Sequence, residues 1–170
     1  MKTRRLHLIR HAKSSWEHPE LADIDRPLNN RGEWACTIMA AAIAEAGCNF
    51  SHVFASPARR AQMTIEELSN SLPEQRIRWI TDSSLYTFDA NEILGWCREL
   101  DDELLDVVIV GHNPALTDFC NHVSDVFTEN LPTCAYVQLE YSSCNGSWAN
   151  MDLNTAKLLC LLTPKQIANR

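Results

Sequence analysis

The apolar residues of this chain follow two successive rhythms. For most of its length, short apolar runs alternate with stretches of helical period, and in the last forty residues the spacing becomes that of hairpins. Residues 6–9 are a first strand candidate. Residues 12–30 are polar, punctuated by Pro19 and Pro27, and read as loop. From Arg31, the residues Trp34, Ile38, Ala41, Ala42 and Ala46 recur at three- and four-residue steps, which predicts a helix over 31–46 stopped by Gly47. Residues 52–55 form a second strand. Pro57 then suits the opening turn of a helix over 58–71, which runs through Ala61, Ile65 and Leu68 and closes at Pro73.

Residues 77–80 are a third strand candidate, and a helix starts at Asp89 and runs through Ile93, Leu94, Trp96 and Cys97 to Leu100. The run 106–110 is β-branched and almost wholly apolar, as a strand buried on both faces should be. It ends at Gly111-His112-Asn113-Pro114, and a helix is expected from there to about residue 127. Residues 135–141 alternate with period two, Asn145-Gly146 is a turn signal, and 148–152 and 158–162 read as further strands. Trp34 and Trp96 are assigned to core packing. Strand–helix alternation followed by hairpins predicts one α/β domain over 1–170, with a mainly parallel central sheet, helices on both faces and an antiparallel edge.

Composition narrows the partners. The 170 residues carry 15 Lys and Arg against 22 Asp and Glu, a net charge of −7, which disfavours nucleic acid and anionic membranes. An anionic ligand must therefore be held by a local basic pocket. The seven cysteines include no C-x-x-C pair and lie mostly in apolar runs, so they read as reduced, buried thiols of a cytoplasmic protein. No signal peptide is expected, because the first apolar run is short and broken by His7 and Arg10. No apolar run approaches membrane-spanning length.

In such folds ligands bind beyond the C-terminal ends of the strands. Three predicted strand ends carry reactive or cationic residues: Arg10-His11, Ser56-Pro57-Ala58-Arg59-Arg60 and Gly111-His112-Asn113. A lone strand-end histidine is most often structural, but three coinciding ends point to one site. Guanidinium forks suit phosphoryl oxygens, a neutral imidazole can attack phosphorus, and a second imidazole can steady the equatorial charge. This scheme needs no metal or other cofactor. A zinc reading of His7 and His11 is poor, because the segment is a strand and no Cys or carboxylate stands at ligand spacing.

The stretch 8–16, with Arg10-His11-Ala12, resembles the R-H-G signature of the histidine phosphatase (phosphoglycerate-mutase-like) superfamily. Ser56-Pro57-x-x-Arg60-Ala61-x-x-Thr64 is similar to its second arginine motif and Gly111-His112-Asn113-Pro114 to its second-histidine motif. Asp25-Arg26-Pro27-Leu28, Arg31-Gly32, Leu85-Tyr86, Leu131-Pro132-Thr133 and Leu162-Thr163-Pro164 resemble the small SixA-type branch, the phosphohistidine phosphatases. The resemblance implies His11 as nucleophile, Arg10 and Arg60 as phosphate clamps and His112 as completing the pocket. Ser14 stands where relatives place a hydroxyl near phosphate, and it serves equally as a loop cap. Asn113 either orients the strand-end turn or starts it, and Arg59, beside the motif arginine, is either a further substrate contact or a solvated helix-face residue.

Two departures from the pattern matter. Ala12 replaces glycine, so this turn must have ordinary backbone angles. No general-acid motif is evident; Asp89 and Glu92 are the candidates, and each serves equally as a helix-start residue. An imidazole leaving group needs less protonic help than an alcohol. The expected reaction is therefore metal-independent hydrolysis through phospho-His11, with phosphohistidine on a protein as substrate. A small phosphate ester, handled by a phosphatase or mutase, is the alternative, and a non-catalytic phosphate-binding regulatory module is the reading from another class.

Overall fold

A computed structural model describes residues 2–142 and 145–170. Six strands form one sheet: β1 (Thr3–Arg10), β2 (Val53–Ala55), β3 (Trp79–Thr81), β4 (Asp106–Gly111), β5 (Tyr136–Ser142) and β6 (Ala156–Leu162). Their order is β3-β2-β4-β1-β5-β6, parallel from β3 through β1, with β5 antiparallel to β1 and β6 antiparallel to β5. The α-helices are α1 (Asn30–Glu45), α2 (Arg59–Ser71), α3 (Ala90–Arg98), α4 (Ala115–Val123) and α5 (Pro164–Ala168). The expected α/β class and mixed sheet are present. Among the described residues, no helix is long and apolar enough to cross a membrane.

Alternation along the central strands builds two cores. Val108 and Val110 of β4 face α1 and α2, joined by Ile9, Met39, Ile43, Ile65 and Leu68. Val107 and Ile109 face α3 and α4, with Leu6, Leu8, Ile93, Leu116 and Phe119. Each fully buried side chain of this size contributes about 1.5–3 kcal/mol. Both faces of β1 and β4 are therefore covered, and only their ends reach polar surroundings.

Four local expectations need correction. β1 starts at Thr3, because the apparently polar Arg4 is buried, donating to the Asp102 carbonyl at 2.8 Å with its guanidinium 5.6 Å from the Trp148 ring centroid. α1 buries Gly32, Ala35, Cys36, Met39, Ala40, Ala42 and Ile43, so of the predicted inner face Ala42 is buried while the face as a whole is rotated and Trp34 stands outside, 53% exposed. Trp96 does pack inward, edge-on to Phe54. α4 stops at Val123, where Ser124 turns extended and bridges Ala156, while the Asn121 amide closes the following loop on both backbone groups of Thr128. The segment 148–152 holds a 3-10 turn (Trp148–Asn150) in place of a strand, because Trp148 is buried and donates to the Leu104 carbonyl.

Of the cysteines, five are buried and Cys160 is half-buried, all as free thiols; Cys144 lies outside the described residues.

The polar stretch 12–30 is strapped to the domain. Ser15 N–H donates to the Pro27 carbonyl and Asn29 N–H to the Lys13 carbonyl, and the Asn29 side chain caps α1 by accepting from Gly32 N–H. Gly32 is required by this strap: a Cβ there would stand 2.3 Å from the Lys13 carbonyl oxygen. By contrast, a Cβ at Gly95, inside α3, meets nothing within 4 Å. Gly32→Ala should therefore destabilise by about 1–3 kcal/mol, and Gly95→Ala should stabilise by about 0.5–1 kcal/mol. Chemical denaturation of both variants checks the pair: equal effects would contradict the packing described.

Candidate active site

The neighbours β2, β4 and β1 end together. His11 N–H donates to the Gly111 carbonyl and Ser56 N–H to the Val110 carbonyl, both at 3.0 Å. These bonds set His11, His112 and Ser56 on one ledge, and the rings of His11 and His112 lie 5.2 Å apart.

His11 is 8% exposed, and its Nδ1 lies 2.7 Å from the Ala12 carbonyl oxygen. A carbonyl only accepts, so Nδ1 carries the proton and Nε2 keeps its lone pair. Burial lowers the imidazole pKa to about 4; the Ala12 bond opposes this, and the charges of Arg60, Arg10 and Arg26 add to it. Ala12 takes an ordinary backbone conformation, as the alanine requires, and its N–H donates to Thr64 Oγ1 at 2.9 Å. The same hydroxyl donates to the Arg60 carbonyl at 2.6 Å, so Thr64 ties the loop that follows His11 to the first turn of α2.

His112 is also buried, and its pKa falls to about 3, by burial first and then by the neighbouring His11 and Arg60. Its Nε2 lies 2.7 Å from Ser56 Oγ, and its Nδ1 is buried without a partner. Tyr86 and Phe88 place their rings 5.4 and 5.5 Å from it. Arg10 donates to the Leu131 carbonyl at 2.7 Å, yet its Nε is buried and unpartnered. Two unmet polar atoms thus belong to the strand-end pair of residues, and an anion can satisfy such atoms.

Arg60, 2% exposed, completes the cluster. Its Nε–H donates to His11 Nε2 at 3.3 Å, and its terminal nitrogens donate to the Asp23 carbonyl and to Asp23 Oδ2 at 2.7 and 2.9 Å. The ledge therefore brings together all four residues expected at its centre: Arg10, His11, Arg60 and His112.

The outlying candidates separate. Ser14 Oγ is buried and accepts from Arg26 at 2.8 Å. Asn113 donates to the Leu131 carbonyl, beside Arg10, and accepts from the N–H and hydroxyl of Thr117, which makes it a brace between β4, α4 and the 130–131 loop. Arg59 is exposed, with no hydrogen bond or ion pair among the described residues. Asp89 caps α3 by accepting from Asn91 N–H at 2.8 Å, and Glu92 accepts from the Thr87 hydroxyl. Neither carboxylate is hydrogen-bonded to the four central residues, so both have the geometry of helix-start residues.

Residues that the sequence reading left without a role stand at the site. Asp23, in a 3-10 turn (Asp23–Asp25), is held by Arg60, Arg26 and the Tyr86 hydroxyl, the last at 2.6 Å. Burial works against its ionisation, but the bonds from Tyr86 and Arg60 outweigh it and hold the pKa at about 2. Arg26 lies over the Trp16 ring, 3.6 Å from its centroid. Arg26 and Tyr86 lay within recognised motifs, which was the available signal. Asp23 offered none, because only the path of the loop brings it to Arg60, 37 positions away.

An unprotonated imidazole beside buried guanidinium groups at the C-terminal ends of parallel central strands is equipment suited to taking a phosphoryl group. The profile of the histidine phosphatase superfamily (branch 1) matches residues 6–103, more than half of the sequence, and the chain belongs to that superfamily. Solved structures share the fold. The putative phosphohistidine phosphatase SixA from Nakamurella multipartitia has a TM-score of 0.80 at 20% identity, covering 96% of this chain and 98% of that one. The putative phosphohistidine phosphatase SixA from Agrobacterium tumefaciens has a TM-score of 0.77 at 22% identity, covering 95% and 98%. An uncharacterized protein of Mycobacterium leprae (strain TN), ML1117, is 25% identical over 169 residues, 92% of this chain and 100% of the relative.

Two predictions follow from the electrostatics. For His11 acting as a nucleophile the reactive form is the neutral one, and a pKa of about 4 extends that form downward in pH. The acidic limb of kcat/KM on an aryl phosphate, corrected for substrate ionisation, should fall near pH 4, and a limb near 6.5 would contradict this environment. Asp23→Asn should free Arg60 for anions and tighten inhibition by orthophosphate roughly fivefold, about 1 kcal/mol for a half-exposed pair. Weaker inhibition would mean that Asp23 supports anion binding.

Proposed function

We propose that the protein is a phosphatase that works through a phosphohistidine at His11 and removes phosphate from phosphohistidine on a protein. The observation that carries the reading is the state of the carboxyl groups. Asp23 accepts from Arg60 and from the Tyr86 hydroxyl, Asp89 caps α3 and Glu92 accepts from the Thr87 hydroxyl, so each of the three carboxylates is already engaged by a donor. A sugar alcohol leaves poorly without an acid, whereas a phosphohistidine imidazole leaves neutral when its other nitrogen holds a proton.

His11 Nε2 attacks phosphorus, the substrate imidazole departs with the bonding pair, and water then cleaves the new N–P bond. Arg10 and Arg60 hold the phosphoryl oxygens in two-point contacts, and Arg60 exchanges its contact with Nε2 for one with the phosphate. His112, oriented by Ser56, offers its unmet Nδ1 to the same group. Ser14 serves through Arg26, and Asn113 through the Leu131 carbonyl that fixes Arg10.

A substrate panel tests this: a phosphohistidine-bearing protein, a sugar phosphate and an aryl phosphate, with wild type and His11→Ala. Wild type should favour the phosphohistidine protein over the sugar phosphate by about 10²–10⁴ in kcat/KM, the range attributed to general-acid help. His11→Ala should lose roughly 10³-fold or more on every substrate. Preference for the sugar phosphate, transfer to an added acceptor in place of water, or activity surviving in His11→Ala would each overturn the reading.

A further inference from the structure

A second feature lies on the other side of the nucleophile loop. A groove of about 380 Å³ is lined by Lys13, Arg31, Trp34, Thr133, Thr163 and Lys165, among others. All three cations are exposed, and none forms an ion pair among the described residues. On a chain with 22 acidic residues and a net charge of −7, three unpaired cations around one groove are a local reversal of the field. Trp34 adds an aromatic face that α1 turns outward, 53% exposed, without a packing role in the core.

The groove is also joined to the site through the backbone. Lys13 is two residues beyond His11, and Thr133 precedes Cys134, whose N–H donates to the carbonyls of Arg10 and His11 at 3.1 Å. A polypeptide with its phosphorylated side chain at His11 therefore has neighbouring residues within reach of the groove, since a few residues of extended chain span about 10 Å.

We propose that this groove is a docking site for an acidic segment of the phosphorylated protein, with Arg31, Lys165 and Lys13 holding its carboxylates and Trp34 its apolar atoms. The occupant follows from charge complementarity: the acidic remainder of the surface repels such a segment, so the groove sets where and in which orientation it lands. The inference deepens the reading of the site as acting on phosphohistidine in a protein, and it rests on that reading. Small phosphorylated molecules enter the catalytic ledge without touching the groove.

The test uses Arg31→Glu/Lys165→Glu and Trp34→Ala, which leave the catalytic ledge and Lys13 unaltered. On a phosphohistidine protein with an acidic neighbourhood, the charge reversal should raise KM about tenfold with kcat unchanged. kcat/KM for an aryl phosphate should stay within twofold, and Trp34→Ala should raise the protein KM about threefold. Raising salt from 50 to 300 mM should weaken the wild type toward the variant. Calorimetry with a Glu-rich decapeptide provides a readout free of turnover: wild type binds and the double variant does not. Peptide binding by a wild type that hydrolyses no phosphohistidine protein would refute the catalytic reading and leave the groove standing. Unchanged KM, absent peptide binding, or equal losses on the aryl phosphate and the protein would overturn the docking site.

Discussion

The hydrogen bond from His11 Nδ1 to the Ala12 carbonyl is the contact on which the site depends. It fixes the tautomer, and so it decides which nitrogen of the ring keeps a lone pair. That carbonyl is held in place by the rest of the loop: Ala12 N–H on Thr64, the Lys13 carbonyl on Asn29 N–H, and Gly32 packed where no larger residue fits. The burial of both faces of β1 and β4 supports the loop in turn, by bringing His11 and His112 to one level. A distributed set of packing and backbone contacts thus ends in the orientation of a single proton.

Charge is arranged around that ring to opposite effects. Burial first, and then the charges of Arg60 and Arg10, keep both imidazoles neutral, with Arg26 adding at His11, and the Asp23 carboxylate is paired with Arg60. In the proposed reaction the phosphoryl group competes with the Asp23 carboxylate for the guanidinium and meets the unpaired Arg10 Nε and His112 Nδ1. The Asp23–Arg60 pair therefore sets how readily the guanidinium is released to an anion. Beyond the ledge, Lys13, Arg31 and Lys165 are segregated around one groove of an acidic chain, and the docking site proposed there extends the same charge logic to a polypeptide substrate.

Much of this was legible in the residues, for identifiable reasons. A strand buried on both faces must be an apolar run, so the polar residues where it stops stand out, as at Arg10-His11 and Gly111-His112. Thr64 was legible as a motif position, and its two hydrogen bonds explain the spacing from Arg60. Features that depend on distant partners were hidden. Arg4 fell outside the predicted strand, because its burial depends on the distant Asp102 and Trp148. The alanine-rich α1 has too little contrast between its faces for the pattern to set its rotation, and Trp34 was misassigned with it. Asp23 depends on a loop path that local sequence does not encode, and which backbone and hydroxyl groups Asp89 and Glu92 accept from was equally hidden.

Transfer of the phosphoryl group to His11 Nε2 is checked by rapid-quench trapping with a labile phosphodonor. One acid-labile, base-stable adduct is expected, mapped by mass spectrometry to His11 and by phosphorus NMR to Nε2, and absent from His11→Asn. An adduct on any other residue, or on Nδ1, would contradict it.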